Sequence, residues 1–307
     1  MDRYEVVIIG AGPAGLTAAT YLGRYRRRVL ILDSGRSRAA WIPQSHNTPG
    51  FPRGVGGPAL LENLSQQASL YGAQRRQARA RRLTRMADGF EILIDTAQGE
   101  VTIQAQFVLL ATGVVDRLPD LAEIEAAIGA ARVRMCPICD AYEAIDQRIA
   151  VLGEGDLGAR EAAFLTTYSS DVTLLHLGAT ETLSDLASLS AHKVRVEPIA
   201  LADLSVGSER VRLSSPGAPV QDFDCLYLAL GCEMQSRLAV QWGAAHDDQA
   251  NLIVNSHQET SIEGLYAAGD VVRGLNQIAV AAAEAAIAAT DIHKRLRARE
   301  AQAQARL

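Results

Sequence analysis

Of the 30 basic residues in this chain of 307, only Lys193 and Lys294 are lysines, and the formal net charge is -5. Bulk charge therefore offers nothing to nucleic acid or to an anionic membrane. The four cysteines, Cys136, Cys139, Cys225 and Cys232, are too few and too unevenly placed for a secreted disulfide framework. No apolar run approaches the ~20 residues needed to cross a bilayer. Met1-Asp2-Arg3 leads straight into a strand-like stretch, with no signal-peptide pattern. Low-complexity tracts and solenoid repeats are also missing. What is left is ordinary globular composition, 48% hydrophobic and 21% charged. It suffices for two domains of roughly 100–200 residues and is expected in the cytoplasm.

Two stretches share one grammar. Tyr4–Ile9 and Arg148–Leu152 are short apolar runs suited to buried parallel strands. Each leads into a glycine turn, an Ala/Leu-rich helical stretch and a second buried strand, Val29–Leu32 or Val172–Leu175. This is the opening of a doubly wound nucleotide-binding unit, and it occurs twice. Near the end, Gly264-Leu-Tyr-Ala-Ala-Gly-Asp270 precedes a long Ala-rich helix over about Asn276–Arg297. A strand ending at Gly269-Asp270 has no domain of its own to make, so it is expected to return to the first sheet. The fold class is α/β, two Rossmann-like domains with the second inserted into the first. The first domain is placed at 1–117 and 241–307, the inserted one at 118–240. The Pro/Gly-dense segment Ile42–Pro58 reads as a loop crossing a ligand or a domain face.

Two motifs carry chemistry. Gly10-Ala-Gly12-Pro-Ala-Gly15 fits G-x-G-x-x-G directly after a strand and at a helix start. Its glycines permit the turn, the approach of a pyrophosphate and the packing of helix on strand, while the helix N-terminus offers amides to phosphate. Asp33 closes the next strand, where an acid accepts hydrogen bonds from a ribose. The second motif is Cys136-Pro-Ile-Cys139-Asp140 at a helix start. Such a pair can form a reducible disulfide, the helix dipole favours the thiolate, and Asp140 could shuttle the proton that thiol exchange requires. A structural zinc site would need a second ligand pair, and Cys225 and Cys232 are poorly spaced for one. Inert buried cysteines are the plain alternative.

In their order along the chain, GAGPAGL at 10–16, His46-Asn47-Thr-Pro-Gly50, Ala111-Thr-Gly113 and CPICD at 136–140 resemble the low-molecular-weight thioredoxin reductase family. So do the glycine turn at 153–158 and GLYAAGDV with Asn276-Gln277-Ile278 beyond it. The likeness spans nearly the whole chain. It implies FAD in the first domain, with Gly10, Gly12, Ala14 and Gly15 on its pyrophosphate and Asp33 on its adenosine ribose. Asn47, Thr112 and Gly113 would lie along the cofactor, Gly269 and Asp270 at the ribityl and phosphate, and Gln277 and Ile278 at the flavin ring. It further implies that Cys139 faces flavin C4a, Cys136 attacks the partner disulfide, and Asp140 is the acid–base group. A homodimer, a rotating inserted domain and thioredoxin as the disulfide partner belong to the same inference.

The chain departs from that family at its second glycine turn, Gly153-Glu-Gly155-Asp-Leu-Gly158, where Glu154 and Asp156 replace small or neutral residues. Each carboxylate at ~5–8 Å from a diphosphate opposes binding even at an effective dielectric of about 20. After the strand Val172–Leu175 the family has His-Arg-Arg and a further arginine for the 2′-phosphate of NADPH, whereas here the run is His176-Leu-Gly-Ala-Thr-Glu-Thr182. From Glu161 to His192 there is no lysine or arginine. This speaks against NADPH and leaves NADH open, although the acid that usually selects NAD at the strand end is replaced by His176.

The donor could then be ferredoxin, and Arg75, Arg76, Arg79, Arg81, Arg82 and Arg85 form either a docking patch for such an acidic protein or simply a solvated face. Few aromatics interleave these arginines, which argues against nucleic acid. His46 is either at the isoalloxazine or a satisfied loop histidine, and Trp41 and Ile42 are expected to cover the flavin or a dimer contact. The charged tail from His293 has no evident partner and could cover a vacated nucleotide site. The reading is an FAD-dependent dithiol–disulfide oxidoreductase. A thiol oxidase passing electrons from small dithiols to oxygen is its enzymatic alternative, and a flavin redox sensor the non-enzymatic one.

Overall fold

A computed structural model describes residues 2–178, 183–184 and 186–305. The chain divides into two compact units. The first comprises Met1–Ala40, Pro58–Val115 and Met234–Leu307, the second Trp41–Gly57 and Asp116–Glu233. This division departs from the boundaries expected from sequence mainly at loop 41–57, which groups with the second unit.

In order along the chain, the first unit begins with β1 (Arg3–Ile9), α1 (Pro13–Arg24), β2 (Val29–Asp33) and, beyond the loop, α2 (Gly57–Leu70). It continues with β3 (Gln74–Gln77), β4 (Arg79–Met86), β5 (Gly89–Thr96), β6 (Gly99–Leu110) and β7 (Val114–Asp116). The second unit holds α3 (Ile124–Gly129), β8 (Val133–Arg134), α4 (Pro137–Asp140), β9 (Ile149–Gly153), α5 (Gly155–Leu165) and β10 (Val172–Leu177). It goes on through α6 (Leu186–Ala191), β11 (Arg195–Ile199), β12 (Leu204–Val206), β13 (Val211–Leu213), β14 (Gln221–Phe223), β15 (Cys225–Ala229) and β16 (Cys232–Met234). The chain then re-enters the first unit as α7 (Arg237–Val240), β17 (Leu265–Ala267) and α8 (Ile278–Gln304).

The first unit's sheet has strand order β3-β2-β1-β6-β5-β4, with β17 parallel to β6. The β2, β1 and β6 strands run parallel, and Val6 to Ile9 face Val29 to Leu32 on one side and Phe107 to Leu110 on the other. Alternate side chains feed two cores, as an internal parallel strand must. Val6, Ile8, Ile31 and Leu109 pack under α1 and α8, while Val7, Ile9, Leu30 and Val108 pack against Leu83, Ile92 and Ile94 of the antiparallel β4–β6 meander. Small residues let the two helices sit close, with Ala18 and Ala19 beside Ala285, Ala288 and Ala289. As expected, β17 returns to the first sheet, and the Ala-rich helix runs further than the sequence pattern suggested.

In the second unit the sheet order is β11-β10-β9-β15-β8, parallel throughout its registered pairs. Ala150 and Leu152 face α3 and the β12–β14 sheet, whereas Ile149 and Val151 face α5, α6 and the turn that follows α4. The cysteine motif thus belongs to the α5 face. No described helix is long and apolar enough to cross a membrane.

Candidate active site

The first glycine turn is built for close approach. Gly10 has φ +112°, and a Cβ there would lie 2.1 Å from the Ala111 carbonyl oxygen; a Cβ on Gly15 would lie 1.9 Å from that of Gly10. A side chain on Gly15 would push α1 off the end of β1, and one on Gly10 would push the turn away from the chain that leaves β6. At Gly12 the situation is reversed, because an added Cβ would meet only the Ser37 hydroxyl oxygen, at 3.4 Å. Gly12 is the N-cap of α1, Pro13 follows at the start of the helix, no acid lies in its first turn, and no side chain caps it. A 12-residue helix therefore presents its N-terminal amides beside open space with no acid in its own first turn, which suits a pyrophosphate. These residues fit FAD.

All the residues expected along that cofactor lie in the first unit except Asn47, which lies in loop 41–57 and accepts a hydrogen bond from the Ser45 hydroxyl at 3.1 Å. Asp33 stands at the end of β2 with its carboxylate engaged: Oδ1 accepts the Gly35 N–H at 2.8 Å, and Oδ2 accepts Arg75 Nε at 3.0 Å. Gly269 follows β17, where a Cβ would come within 3.1 Å of the Ala14 methyl. Its N–H donates to Glu284 of α8 at 2.9 Å, and Arg38 stands 3.5 Å from Asp270. Gln277 caps α8 and Ile278 opens it. Thr112 and Gly113 hold the returning chain: the Thr112 hydroxyl donates to the Gln235 carbonyl at 2.7 Å, and the Gly113 carbonyl accepts the Gln235 N–H at 3.0 Å. Sequence reasoning missed Glu284 and Arg38. A single acid within the Ala-rich run 279–289 was the available signal for the first.

Cys136 and Cys139 form a disulfide, with Cys136 as N-cap of α4 and Pro137 at its first position. The helix is a single turn, so its dipole does less for a thiolate than the sequence pattern led one to expect. Ile138 and Tyr142, on either side of Cys139, are exposed. Asp140, in contrast, is held. The Tyr227 hydroxyl donates to Asp140 Oδ1 at 3.0 Å and to its carbonyl at 3.1 Å. Arg134 Nη1 lies 3.2 Å from Oδ2 and donates to the same carbonyl at 3.1 Å. Burial drives the Asp140 carboxyl above the ordinary carboxylate range, and the Arg134 charge and the Tyr227 bond only partly offset it. Burial thus moves the acid toward its protonated form, the direction that a proton donor requires. Neither Arg134 nor Tyr227 was anticipated, since partners on other strands leave no mark in local spacing.

Cys225 is fully buried in β15, and burial pushes its thiol up to about 12. It is an inert thiol at neutral pH. Among the described residues no group of three or more His, Cys, Asp or Glu is placed to hold a metal.

The second glycine turn has the same backbone plan and different chemistry. Glu154 is the N-cap of α5, and Asp156 sits in its first turn. The Gly155 N–H donates to Nε2 of the buried His176 at 3.0 Å. Asp156 accepts the Ser184 N–H at 2.9 Å and its hydroxyl at 2.7 Å, which holds the carboxyl below the ordinary range. β10 ends in His176-Leu177, with no cation there or at Gly178. Ala179 to Thr182, including Glu181, and Asp185 lie outside the described residues. A turn whose amide is occupied and whose mouth carries two acids does not fit the diphosphate of a pyridine nucleotide.

The six arginines of 75–85 do not make one free patch. They are divided between β3 and β4, at the two ends of the sheet order. Arg75 pairs with Asp33, Arg76 with Asp2, Arg81 with Asp95 and Arg85 with Glu263. The tail is partnered as well: Arg27 joins Glu5, Glu300 and His293 Nδ1, and Arg299 stacks over Phe107 at 4.5 Å. Its described part packs on its own unit.

Fold and site together define a dithiol–disulfide oxidoreductase class built on nucleotide-binding units. The chain belongs to the pyridine nucleotide-disulphide oxidoreductase family, whose pattern it matches over residues 4–285. It is 29% identical to a thioredoxin reductase of Mycolicibacterium smegmatis over 94% of each chain. Among solved structures, that of HlmI superposes with TM-score 0.87 at 27% identity, covering 99% of this chain and 95% of the other. The thioredoxin reductase of Streptococcus pyogenes superposes with TM-score 0.83 at 25% identity over 96% of this chain and 99% of that one. The protein is thus a thioredoxin reductase-like enzyme, in a family that implies FAD and a pyridine nucleotide.

Proposed function

We propose that the protein exchanges electrons between FAD, the Cys136–Cys139 pair and an external disulfide such as that of thioredoxin, with a donor other than NADPH. The observation that carries the first part is the closed Cys136–Cys139 disulfide followed directly by a half-buried Asp140, whose carboxyl burial moves above the ordinary carboxylate range. When bound, FAD supplies two-electron exchange with a disulfide. Gly10, Gly12, Ala14 and Gly15 would hold its pyrophosphate and Asp33 its ribose. Thr112, Gly113, Gly269, Asp270, Gln277, Ile278 and Asn47 would line the remainder.

In the dithiol form, the Cys136 thiolate attacks one sulfur of the partner disulfide, and the other sulfur leaves with a proton from Asp140. Asp140, now a carboxylate, takes the proton of Cys139, whose thiolate attacks Cys136 Sγ in the mixed disulfide, and the released partner sulfur takes that proton. The Cys136–Cys139 bond re-forms and the partner departs as a dithiol, two electrons and two protons richer.

Against NADPH stand the His176–Gly155 bond, Glu154 and Asp156, and the lack of a described cation at the end of β10. A donor of another kind is then required. Because four of the six arginines are paired within their own unit, they offer ferredoxin less free charge than the sequence suggested. The same observation about the second turn favours one further reading, in which small dithiols reduce the pair and oxygen takes the electrons.

The test is an anaerobic titration of the oxidised protein with NADPH, then NADH, then dithiothreitol, following the flavin band near about 450 nm. Dithiothreitol should bleach it and the nucleotides should not. Rapid bleaching by NADPH would overturn the donor reading. A Cys136→Ser variant that still reduced thioredoxin, or still formed peroxide from dithiothreitol, would overturn the exchange mechanism.

A further inference from the structure

The surroundings of Asp140 carry more than a single proton carrier needs. Four polar contacts converge on this residue from two strands. Two of them reach its carboxyl and two its carbonyl, and both donors, Arg134 Nη1 and the Tyr227 hydroxyl, serve each. The donors are buried, the side chain of Arg134 being only 10% exposed and Tyr227 fully enclosed. Burying a guanidinium beside a carboxylate seldom adds stability, because desolvation consumes most of the attraction. Arg134 is moreover incompletely satisfied, since its Nε is buried with no acceptor among the described residues. A buried arginine with an idle donor is poor architecture for stability alone, and the pattern calls for another use.

That use follows from the chemistry of α4. In the oxidised form the Cys136–Cys139 bond cross-links the single helical turn that carries Asp140. Reduction removes the cross-link at the step when the proton carrier must stay in register with the sulfurs. The two contacts to the Asp140 carbonyl fix the C-terminal end of this turn to β8 and β15 independently of the S–S bond. The two contacts to the carboxyl fix its rotamer.

We propose that Arg134 and Tyr227 are positioning residues for Asp140, clamping its carboxyl and its carbonyl in one place whether the Cys136–Cys139 bond is closed or open. The proposal rests on the reading of Cys136–Cys139 as an exchanging pair served by Asp140.

The titratable neighbours of Asp140 are Arg134 from β8, Tyr227 and Cys225 from β15, and Glu143 just beyond α4, of which only Arg134 and Glu143 are charged at neutral pH. The helix α5, packed against α4, carries Asp156, Arg160 and Glu161. Arg134 and Tyr227 both favour the ionised acid, while burial and Glu143 oppose it. Removing either clamp residue therefore leaves burial less opposed and raises the pH at which Asp140 titrates.

The experiment measures the rate at which dithiothreitol reduces Cys136–Cys139 in the flavin-loaded, full-length protein as a function of pH. Samples are quenched by alkylation and read by mass spectrometry. In each exchange dithiothreitol is oxidised to its cyclic disulfide, and the pair gains two electrons and two protons. The pH dependence of the dithiothreitol thiolate is common to all variants and cancels in ratios to wild type. Asp140→Asn should abolish one limb of the profile. Tyr227→Phe, which keeps the ring packed, should move that limb upward by about half a pH unit or more, and Arg134→Leu should move it at least as far. In the Asp140→Asn background the same two substitutions should change the rate less than about twofold. Should Arg134→Leu not fold, Tyr227→Phe and Arg134→Lys decide the question. A limb that responds to Asp140→Asn but stays in place in Tyr227→Phe and in the folded Arg134 variant overturns the clamp alone. A wild-type profile in Asp140→Asn overturns the proton-carrier reading and the clamp with it.

Discussion

The two glycine turns of this molecule, Gly10–Gly15 and Gly153–Gly158, join the same elements in the same order and differ in what their helices offer. At the first, α1 starts from Gly12 with no acid in its first turn, no capping side chain and open space beside the N-cap. At the second, α5 starts from Glu154, carries Asp156 in its first turn, and has the Gly155 amide bound by His176. Backbone geometry is common to both, because strand–helix packing demands it: a Cβ on Gly15 would strike Gly10, and one on Gly153 would come within 2.7 Å of Gly158 Cα. Ligand chemistry is separable from that geometry. The second turn retains the glycines that serve packing and has acids where a diphosphate would need amides, so a fold signature alone does not certify a nucleotide site.

The sharpest way to break the comparison is to fill each turn. Gly10→Ala meets a backbone oxygen at 2.1 Å and a φ of +112°. It should cost ~4 kcal/mol or more and yield protein that binds no flavin. Gly153→Ala should lower the melting temperature yet leave the flavin spectrum intact. Flavin loss in the second variant, or retention in the first, would erase the distinction between the turns.

A gain-of-function swap comes next. Glu154→Gly with Leu177→Arg removes a charge from the mouth of the second turn and supplies a cation at the end of β10. One carboxylate at ~6–8 Å from a phosphate opposes binding by about 2 kcal/mol at an effective dielectric near 20. NADPH affinity should therefore rise at least tenfold over wild type, read by anaerobic flavin bleaching and by calorimetry. An unchanged affinity would mean that charge at the second turn does not govern NADPH binding.

Much of this contrast was legible in the sequence, because the acids at 154 and 156 and the missing cations are first-order facts about residue type. The fold was equally legible, since the strand runs at 4–9, 29–32, 148–152 and 172–175 are short, apolar and punctuated by glycine. What could not be read were pairings across elements. Nothing in the spacing of Arg75, Arg76, Arg81 and Arg85 announces four acids from elsewhere in the chain, and the tail gives no sign of Arg27. The Arg134–Asp140–Tyr227 cluster eluded sequence reasoning for the same reason: its members come from β8, α4 and β15, and only the parallel register of β15 with β8 brings them together. The short length of α4 was hidden too, because a helix start is visible in Cys-Pro while its early end depends on tertiary packing.

Within the second turn, the His176 contact is a smaller lever. His176→Leu leaves the Gly155 amide without its partner, which should cost about 1–3 kcal/mol. For a unit of this size that corresponds to several degrees of melting temperature, with flavin content unchanged. A variant as stable as wild type would show that solvent satisfies the amide, and that a phosphate could as well.

The smallest expected effect concerns Asp156, which is half-buried and held below the ordinary carboxylate range by the Ser184 amide and hydroxyl. Because its folded value is depressed, the ionised carboxylate contributes stability above the ordinary carboxylate pKa of about 4, and that contribution is lost as pH falls through the folded value. Asp156→Ala should therefore melt slightly below wild type at neutral pH, with the gap closing in acid. The same substitution removes a negative charge from the mouth of the second turn, so it should weaken the unit while easing the approach of a diphosphate. No residue of the first turn is placed to show those opposite signs, since α1 has no acid in its first turn to remove. A gap that stayed constant down to acid pH would mean that Asp156 acts through packing, and the contrast between the turns would then rest on Glu154 and His176 alone.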